Sequence, residues 1–147
     1  MKNILKKSEL LISDELGIYS NLYKDIYFDK FNGIKETEHN FLKANNLASR
    51  FQKSDKFIIA ELGFGTGLSF LLTLKLWKKT KKTNAKLIFI SFESAPLTKT
   101  ELNQVYKKIR GLKTLSNQLI QKLPTIYQST KRIFFEKDNV ELILIYD

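Results

Sequence analysis

The run Glu61-Leu62-Gly63-Phe64-Gly65-Thr66-Gly67 restricts the fold of this chain more than any other feature. It follows the apolar stretch Phe57-Ile58-Ile59-Ala60 and precedes Leu68, Leu71, Leu72, Leu76 and Trp77, which recur at helical spacing. Glycine admits backbone angles closed to other residues and lets a ligand approach where a Cβ would block it. Strand, glycine turn and helix are therefore expected over residues 57–79. A second buried strand, Leu87-Ile88-Phe89-Ile90-Ser91-Phe92, ends at Glu93. Together they make a βαβ unit of a parallel sheet, expected to cross over right-handed.

The glycine spacing narrows the ligand. A dinucleotide loop reads G-x-G-x-x-G, whereas here the third glycine comes one residue early, and the Lys and Ser/Thr of a phosphate-binding P-loop are missing. A pyrophosphate ligand, and with it an NAD-linked oxidoreductase, is disfavoured. Glu93 lies 26 residues after Gly67 (93 − 67) and ends its strand at the same sheet edge. A carboxylate there can accept hydrogen bonds from two ribose hydroxyls. Glu61 adds negative charge where a sulfonium or an amino-acid tail could sit. Adenosine joined to something cationic and free of phosphate, as in S-adenosylmethionine, fits this set. A tight strand-to-helix turn with no ligand is the bland alternative.

The flanking pattern is coarser. Ile18, Tyr19, Leu22, Tyr23, Ile26, Tyr27, Phe28 and Phe31 alternate with polar residues up to Asn32-Gly33, which reads as a strand or hairpin with its turn at that dipeptide. Ile34, Phe41, Leu42, Leu47 and Phe51 predict a helix, with a break near Asn45-Asn46. Thr98-Lys99-Thr100-Glu101 reads as a capping box opening a helix through Leu102, Val105, Tyr106 and Ile109; Leu112, Leu115, Leu119 and Leu123 mark another. Residues 132–136 and 140–146 read as two strands joined at Lys137-Asp138-Asn139. The second is apolar on both parities, as in an inner parallel strand. The expected organisation is an N-terminal hairpin-and-helix extension over residues 1–52 and a Rossmann-like domain over residues 53–147.

Composition removes several chemistries. The chain has no cysteine, and His39 is its only histidine, which excludes thiolate nucleophiles, disulfides and a Cys- or His-rich metal site. No apolar run approaches a membrane span and no signal segment opens the chain, so the expectation is a cytoplasmic protein without membrane or metal. The net charge of +10 would attract a polyanion such as RNA. Lysine far outnumbers arginine, present only as Arg50, Arg110 and Arg132, which genomic base composition would also produce.

Three segments in order carry a more specific signal. Asp25-Ile26-Tyr27-Phe28 leads to Asn32-Gly33-Ile34-Lys35-Glu36-Thr37-Glu38-His39-Asn40-Phe41-Leu42; Gly63-Phe64-Gly65-Thr66-Gly67-Leu68-Ser69-Phe70 follows; then Phe89-Ile90-Ser91-Phe92-Glu93 with Pro96-Leu97-Thr98. From about Tyr19 to Asp147 the chain resembles the methyltransferase domain of the tRNA 5-methylaminomethyl-2-thiouridine biosynthesis enzymes, the MnmC and MnmD family.

The resemblance implies an α/β fold of the class I S-adenosylmethionine-dependent methyltransferases, a Rossmann-like parallel sheet flanked by helices, represented by its N-terminal half to two-thirds. It implies methyl transfer to the exocyclic aminomethyl nitrogen of the tRNA wobble uridine. Implied cofactor positions are Tyr27, Glu61, Gly63, Phe64, Gly65, Thr66, Gly67, Glu93 and Asp147. The family carries Gly-Asp where this chain has Tyr146-Asp147. Glu36 and Thr37 fall in the motif near the cofactor, and His39 shares their helix. The family's Asp-Gly-Phe-Ala-Pro type segment, where the catalytic group is expected, is absent from these residues. FAD would enter only through a downstream oxidase domain. The alternatives are a non-catalytic S-adenosylmethionine-binding remnant and, without a cofactor, a general RNA-binding protein.

Overall fold

The computed structural model describes residues 5–13, 17–28, 32–127 and 129–147. The expected strand position at Phe31 lies outside them. Two sheets are present among the described residues. The smaller is an antiparallel meander of β1 (Leu10–Ser13), β2 (Gly17–Ser20) and β3 (Asp25–Phe28). The larger contains β4 (Lys56–Leu62), β5 (Lys86–Glu93), β6 (Thr130–Phe135) and β7 (Val140–Tyr146) in the order β4-β5-β7-β6. The helices are α1 (Gly33–Thr37), α2 (Leu47–Lys53), α3 (Leu68–Thr80), α4 (Lys99–Lys107) and α5 (Lys113–Lys122), with a π-helical segment (Glu38–Lys43) following α1.

The βαβ unit forms as expected: β4 and β5 run parallel, joined through α3, and β7 is parallel to β5 on its other side. The sheet is mixed rather than wholly parallel, because β6 returns antiparallel to β7. That hairpin closes through a short 3₁₀ turn and Asn139, whose φ of +54° is a conformation Asn tolerates. Thr98 caps α4 in a full capping box: its hydroxyl accepts from the Glu101 amide at 3.2 Å, and its own amide donates to the Glu101 carboxylate at 2.7 Å.

Two local expectations are corrected. Asn32-Gly33 is not a hairpin turn; Asn32 precedes α1, and its carbonyl accepts from the Glu36 amide at 2.8 Å. The β2–β3 reversal falls at residues 21–24 instead, where Lys24 takes a φ of +54° and the Ser20 hydroxyl accepts from the Tyr23 amide. The helix expected from Ile34 to Phe51 is broken near Asn45-Asn46 as expected, but its first part is split again, into α1 and the π-helical segment. The Ala44 amide reaches the His39 carbonyl, five residues back, and Asn46 turns left-handed before α2. The Asn45 side chain donates to the Phe41 carbonyl at 2.8 Å, competing for the backbone as Asn does.

The two faces of the large sheet differ. On one, register aligns Phe57-Leu87-Val140-Phe135, then Ile59-Phe89-Leu142-Ile133, then Glu61-Ser91-Leu144-Lys131. Helices cover this face. Phe70 of α3 meets Phe89 and Phe135 at 5.3 Å, and Phe51 of α2 sits edge-on between Phe57 and Trp77 at 4.9 Å each. The buried Trp77 indole donates to the Asp138 carbonyl at 3.0 Å, tying α3 to the β6–β7 turn.

The opposite face carries Ile58-Ile88-Glu141-Phe134, then Ala60-Ile90-Ile143-Arg132, then Leu62-Phe92-Ile145-Thr130. No helix of the described residues lies across it; Ile58 is 55% and Leu62 88% exposed. The expectation of a sheet flanked by helices is thus met on one face of this chain. Glu141 is nonetheless buried, held by Arg132 and Lys86.

The small sheet sits at the C-terminal edge of the large one. The Lys6 amide donates to the Ser94 carbonyl at 3.0 Å, the Tyr23 and Ser94 hydroxyls lie 2.7 Å apart, and the Ser8 hydroxyl donates to Glu101. This is the edge where the glycine loop and Glu93 emerge.

Candidate functional site

The loop is built backbone first. The Gly63 and Phe64 amides both donate to the Phe92 carbonyl, at 2.9 and 3.2 Å, which stitches the end of β4 to the end of β5. Gly63, Gly65 and Gly67 have φ of +82°, +53° and +77°, so all three need glycine on conformational grounds. Space adds a second reason at two of them. A Cβ on Gly65 would lie 3.1 Å from the Tyr27 ring, and one on Gly67 would lie 2.8 Å from the Phe64 ring and 3.0 Å from Leu119. At Gly63 the space is open.

Phe64 and Thr66 are buried, and the Thr66 carbonyl accepts from the Tyr106 hydroxyl at 2.8 Å. Any contribution they make to a ligand has to come from the main chain. Burial pushes the Tyr106 phenol well above its usual range, so it remains a donor. This strut from α4 is not readable from spacing, since Tyr106 looks like one more apolar-face residue.

Glu93 is 8% exposed and points at the loop. One carboxylate oxygen accepts from the Gly65 amide at 2.7 Å, the other from the Ala95 amide at 2.8 Å. A carboxylate offers about four lone-pair directions, so two remain. Beside it in register stands Tyr146, also buried, its ring 5.2 Å from that of Tyr127. The Asp147 amide donates to the Glu93 carbonyl at 3.3 Å, which brings the end of β7 to the same edge.

Glu61 lies one strand over, on the same face. Ser91 donates to it at 3.0 Å, and the Ser69 hydroxyl bonds to it from the first turn of α3. Burial pushes its carboxyl up to about 7, opposed by the two serine hydroxyls and reinforced by the neighbouring charge of Glu93. A cation placed beside Glu61 would favour its ionised form.

A cavity of about 460 Å³ opens next to the loop, walled by Asp25, Tyr27, Glu36, Thr37, Asn40 and Ser69 among others. That is within the range of small-molecule sites. Tyr27 and Ser69 connect it to Gly65 and to Glu61 respectively; Glu93 is not on its wall. Burial, ahead of nearby carboxylates, raises the Tyr27 phenol. Asp25 and Asn40 were not singled out by their spacing, because exposed polar residues at a strand start and on a helix carry no pattern. His39 is exposed and is not part of this wall. Among the described residues no group of three or more His, Asp or Glu side chains is placed to hold a metal, and no helix is long and apolar enough to cross a membrane.

A parallel βαβ unit with a glycine loop, and an acid ending the next strand, define the chain as an α/β protein of Rossmann-like fold. The Aquifex aeolicus structure titled MNMC2 matches with a TM-score of 0.63 at 17% identity, over 99% of this chain and 44% of that one. No family model matches the chain. In sequence, the chain is a homologue of part of the tRNA 5-methylaminomethyl-2-thiouridine biosynthesis bifunctional proteins MnmC. It is 40% identical over 128 residues to the protein of Marinomonas sp. strain MWYL1, covering 86% of this chain and 19% of that protein. It is 36% identical over 132 residues to that of Legionella pneumophila strain Corby, covering 86% and 20%. The match to that of Pseudomonas fluorescens strain Pf0-1 is 32% over 148 residues, covering 99% and 22%. The chain therefore spans about a fifth of the length of these relatives.

Proposed function

We propose that this chain forms the cofactor-binding part of an S-adenosylmethionine-dependent methyltransferase acting on the aminomethyl nitrogen of 5-aminomethyl-2-thiouridine in tRNA. The observation that carries the reading is the Glu93 carboxylate beside the Gly63 to Gly67 loop, on a chain homologous to part of MnmC. The residues fit the cofactor: a glycine beside open space at Gly63, a buried acid with acceptor capacity left, and a second acid whose burial a cation would offset. When bound, S-adenosylmethionine supplies an electrophilic methyl group on a sulfonium.

The chain's own residues bind and orient. Glu93 accepts from ribose hydroxyls, Gly63 leaves open space and main chain towards the ligand, and Gly65 and Gly67 let the loop pack against Tyr27, Phe64 and Leu119. Phe64 and Thr66 fix the loop from below, Glu61 balances positive charge, and Tyr27 closes the loop's outer side. Asp147 serves the adenine side. Orientation matters because aligned reactants can gain roughly 7–11 kcal/mol over free encounter. The net charge of +10 suits a tRNA partner, and a cytoplasmic location goes with that substrate. The boundary between the N-terminal extension and the cofactor-binding part is placed at residue 52.

The test measures two quantities separately: calorimetric binding of S-adenosylhomocysteine, and methyl transfer to undermodified tRNA. Binding with NAD unable to compete supports the assignment; absence of S-adenosylhomocysteine binding contradicts it. Binding without transfer leaves a cofactor-binding protein and removes the catalytic half of the proposal.

A further inference from the structure

We infer that the outer face of the α4–α5 helical hairpin is the surface on which RNA backbone lies, with Lys107, Lys108, Arg110 and Lys113 at its turn as the phosphate contacts. The inference rests on the tRNA reading for the identity of the partner and on the distribution of charge for the place. Residues 102–135 hold seven of the chain's 25 Lys and Arg and none of its 15 Asp and Glu, so that stretch supplies seven units of the net charge of +10. Four of the seven cations fall within residues 107–113, and all four are exposed. A cluster of this kind attracts a polyanion, because each phosphate it neutralises releases condensed counterions.

Several cations elsewhere serve the fold. Lys78 pairs with Asp138, Lys82 with Asp55, and Lys86 and Arg132 with the buried Glu141. Lys107, Arg110 and Lys113 form no ion pair with any described residue. The fold does not call for their grouping either. Lys107 ends α4, where a cation suits the helix dipole, but Lys113 begins α5, whose first turn holds no acid. A cation there opposes the dipole, and like charges gathered in one tight turn repel. An anionic chain laid across the turn removes that cost.

The buried side of the same hairpin braces the glycine loop. Tyr106, next to Lys107, donates its hydroxyl to the Thr66 carbonyl at 2.8 Å, and Leu119 of α5 would lie 3.0 Å from a Cβ on Gly67. RNA gripped on the outer side is thus held by the element that packs against the loop. The exposed positions of α4 and α5 also carry the amides of Asn103, Gln104, Asn117 and Gln118, which can donate to and accept from sugar hydroxyls and phosphates. From Lys99 to Lys122 no large apolar side chain is exposed. An acidic polypeptide, which binds through buried apolar and aromatic anchors as well as charge, finds none here. A phosphodiester chain needs none.

The test follows binding of undermodified tRNA to the 147-residue chain by fluorescence anisotropy over a salt series. Lys107→Gln, Arg110→Gln and Lys113→Gln combined should lower affinity at least tenfold at about 0.1 M salt and reduce the slope of log affinity against log salt by about 2–3. Lys53→Gln, Lys75→Gln and Lys79→Gln combined remove the same charge from exposed positions on α2 and α3 and should leave affinity within about threefold of wild type. Lys113→Gln alone relieves the start of α5, keeps the test clear of unfolding and should lower the slope by about one. Polyglutamate at equal charge concentration should not displace the tRNA. Equal losses in the two triple variants overturn the inference, since net charge alone would then set the affinity. Binding unaffected by the turn substitutions overturns it and leaves the tRNA reading standing, whereas a wild-type chain that binds no tRNA overturns both. Displacement by polyglutamate replaces RNA with an acidic polypeptide. None of these outcomes depends on S-adenosylhomocysteine, so they are separate from the cofactor test.

Discussion

Glu61 and Glu93 end neighbouring stretches of sheet on the same face, yet they are held in opposite ways. Glu93 accepts two backbone amides, Gly65 at 2.7 Å and Ala95 at 2.8 Å, each from a loop that it thereby fixes. Glu61 has serine hydroxyls from Ser91 and Ser69, and burial pushes its carboxyl up to about 7. Backbone amides are fixed dipoles, whereas hydroxyls can rotate to donate or accept. Glu93 thus organises the loop without ligand, while Glu61 waits for positive charge.

The largest effect on ligand affinity is expected from Glu93→Gln. Gln offers one carbonyl to two amides and turns an NH₂ towards the other, so a buried donor is left facing a donor. Hydrogen bonds to a charged group contribute about 1.5–3 kcal/mol. A loss in that range should appear in chemical denaturation, with S-adenosylhomocysteine affinity falling roughly tenfold to a hundredfold. Comparable affinity in the variant would remove the distinction between the two acids.

Next comes Gly67→Ala, where a Cβ at 2.8 Å from Phe64 and 3.0 Å from Leu119 combines with a φ of +77°. Overpacking costs about 1–3 kcal/mol and left-handed backbone about 1–2 more. Gly63→Ala, with φ of +82° and open space, should show the conformational part alone. Equal destabilisation of the two, read by thermal melting, would show that Phe64 and Leu119 do not constrain the loop.

A smaller effect belongs to Glu61. Its carboxyl, pushed up to about 7 by burial, lies above the ordinary carboxylate value of 4.5, so folding favours the protonated form. That contribution is complete below pH 4.5 and is lost as pH rises through 7, an effect of about 1–3 kcal/mol. Glu61→Gln should flatten stability between those limits and be the more stable form at pH 8. A cationic ligand reverses the preference, so wild-type affinity should rise through pH 7 and that of Glu61→Gln should not. The smallest change is Ser91→Ala, which removes one hydroxyl donor at about 1 kcal/mol and moves the Glu61 midpoint upward.

The elements around this pair were legible in the sequence because their signals are local. The strand ending at Gly63, the capping box at Thr98 and the hairpin at Lys137-Asp138-Asn139 each depend on residues a few positions apart. The break before α2 was legible at Asn45-Asn46, but the π-helical turn at Ala44 was not, since it leaves the apolar spacing nearly unchanged. The β2–β3 turn was misplaced because residues 21–24 hold neither Gly nor Pro, while Asn32-Gly33 offered a favoured dipeptide that begins a helix instead. Glu93 could be placed by counting along the chain. Its two amide partners, the Tyr106 strut and the Ser91–Glu61 bond join residues 2 to 40 apart across the fold, and apolar periodicity does not encode them.

Isothermal titration of S-adenosylhomocysteine into the wild-type chain and Glu93→Gln, at pH 6 and pH 8, tests the central claim most directly. The account predicts saturable one-to-one binding that falls at least tenfold in the variant at both pH values. Wild-type heats indistinguishable from dilution, or equal affinity in the two proteins, would contradict it.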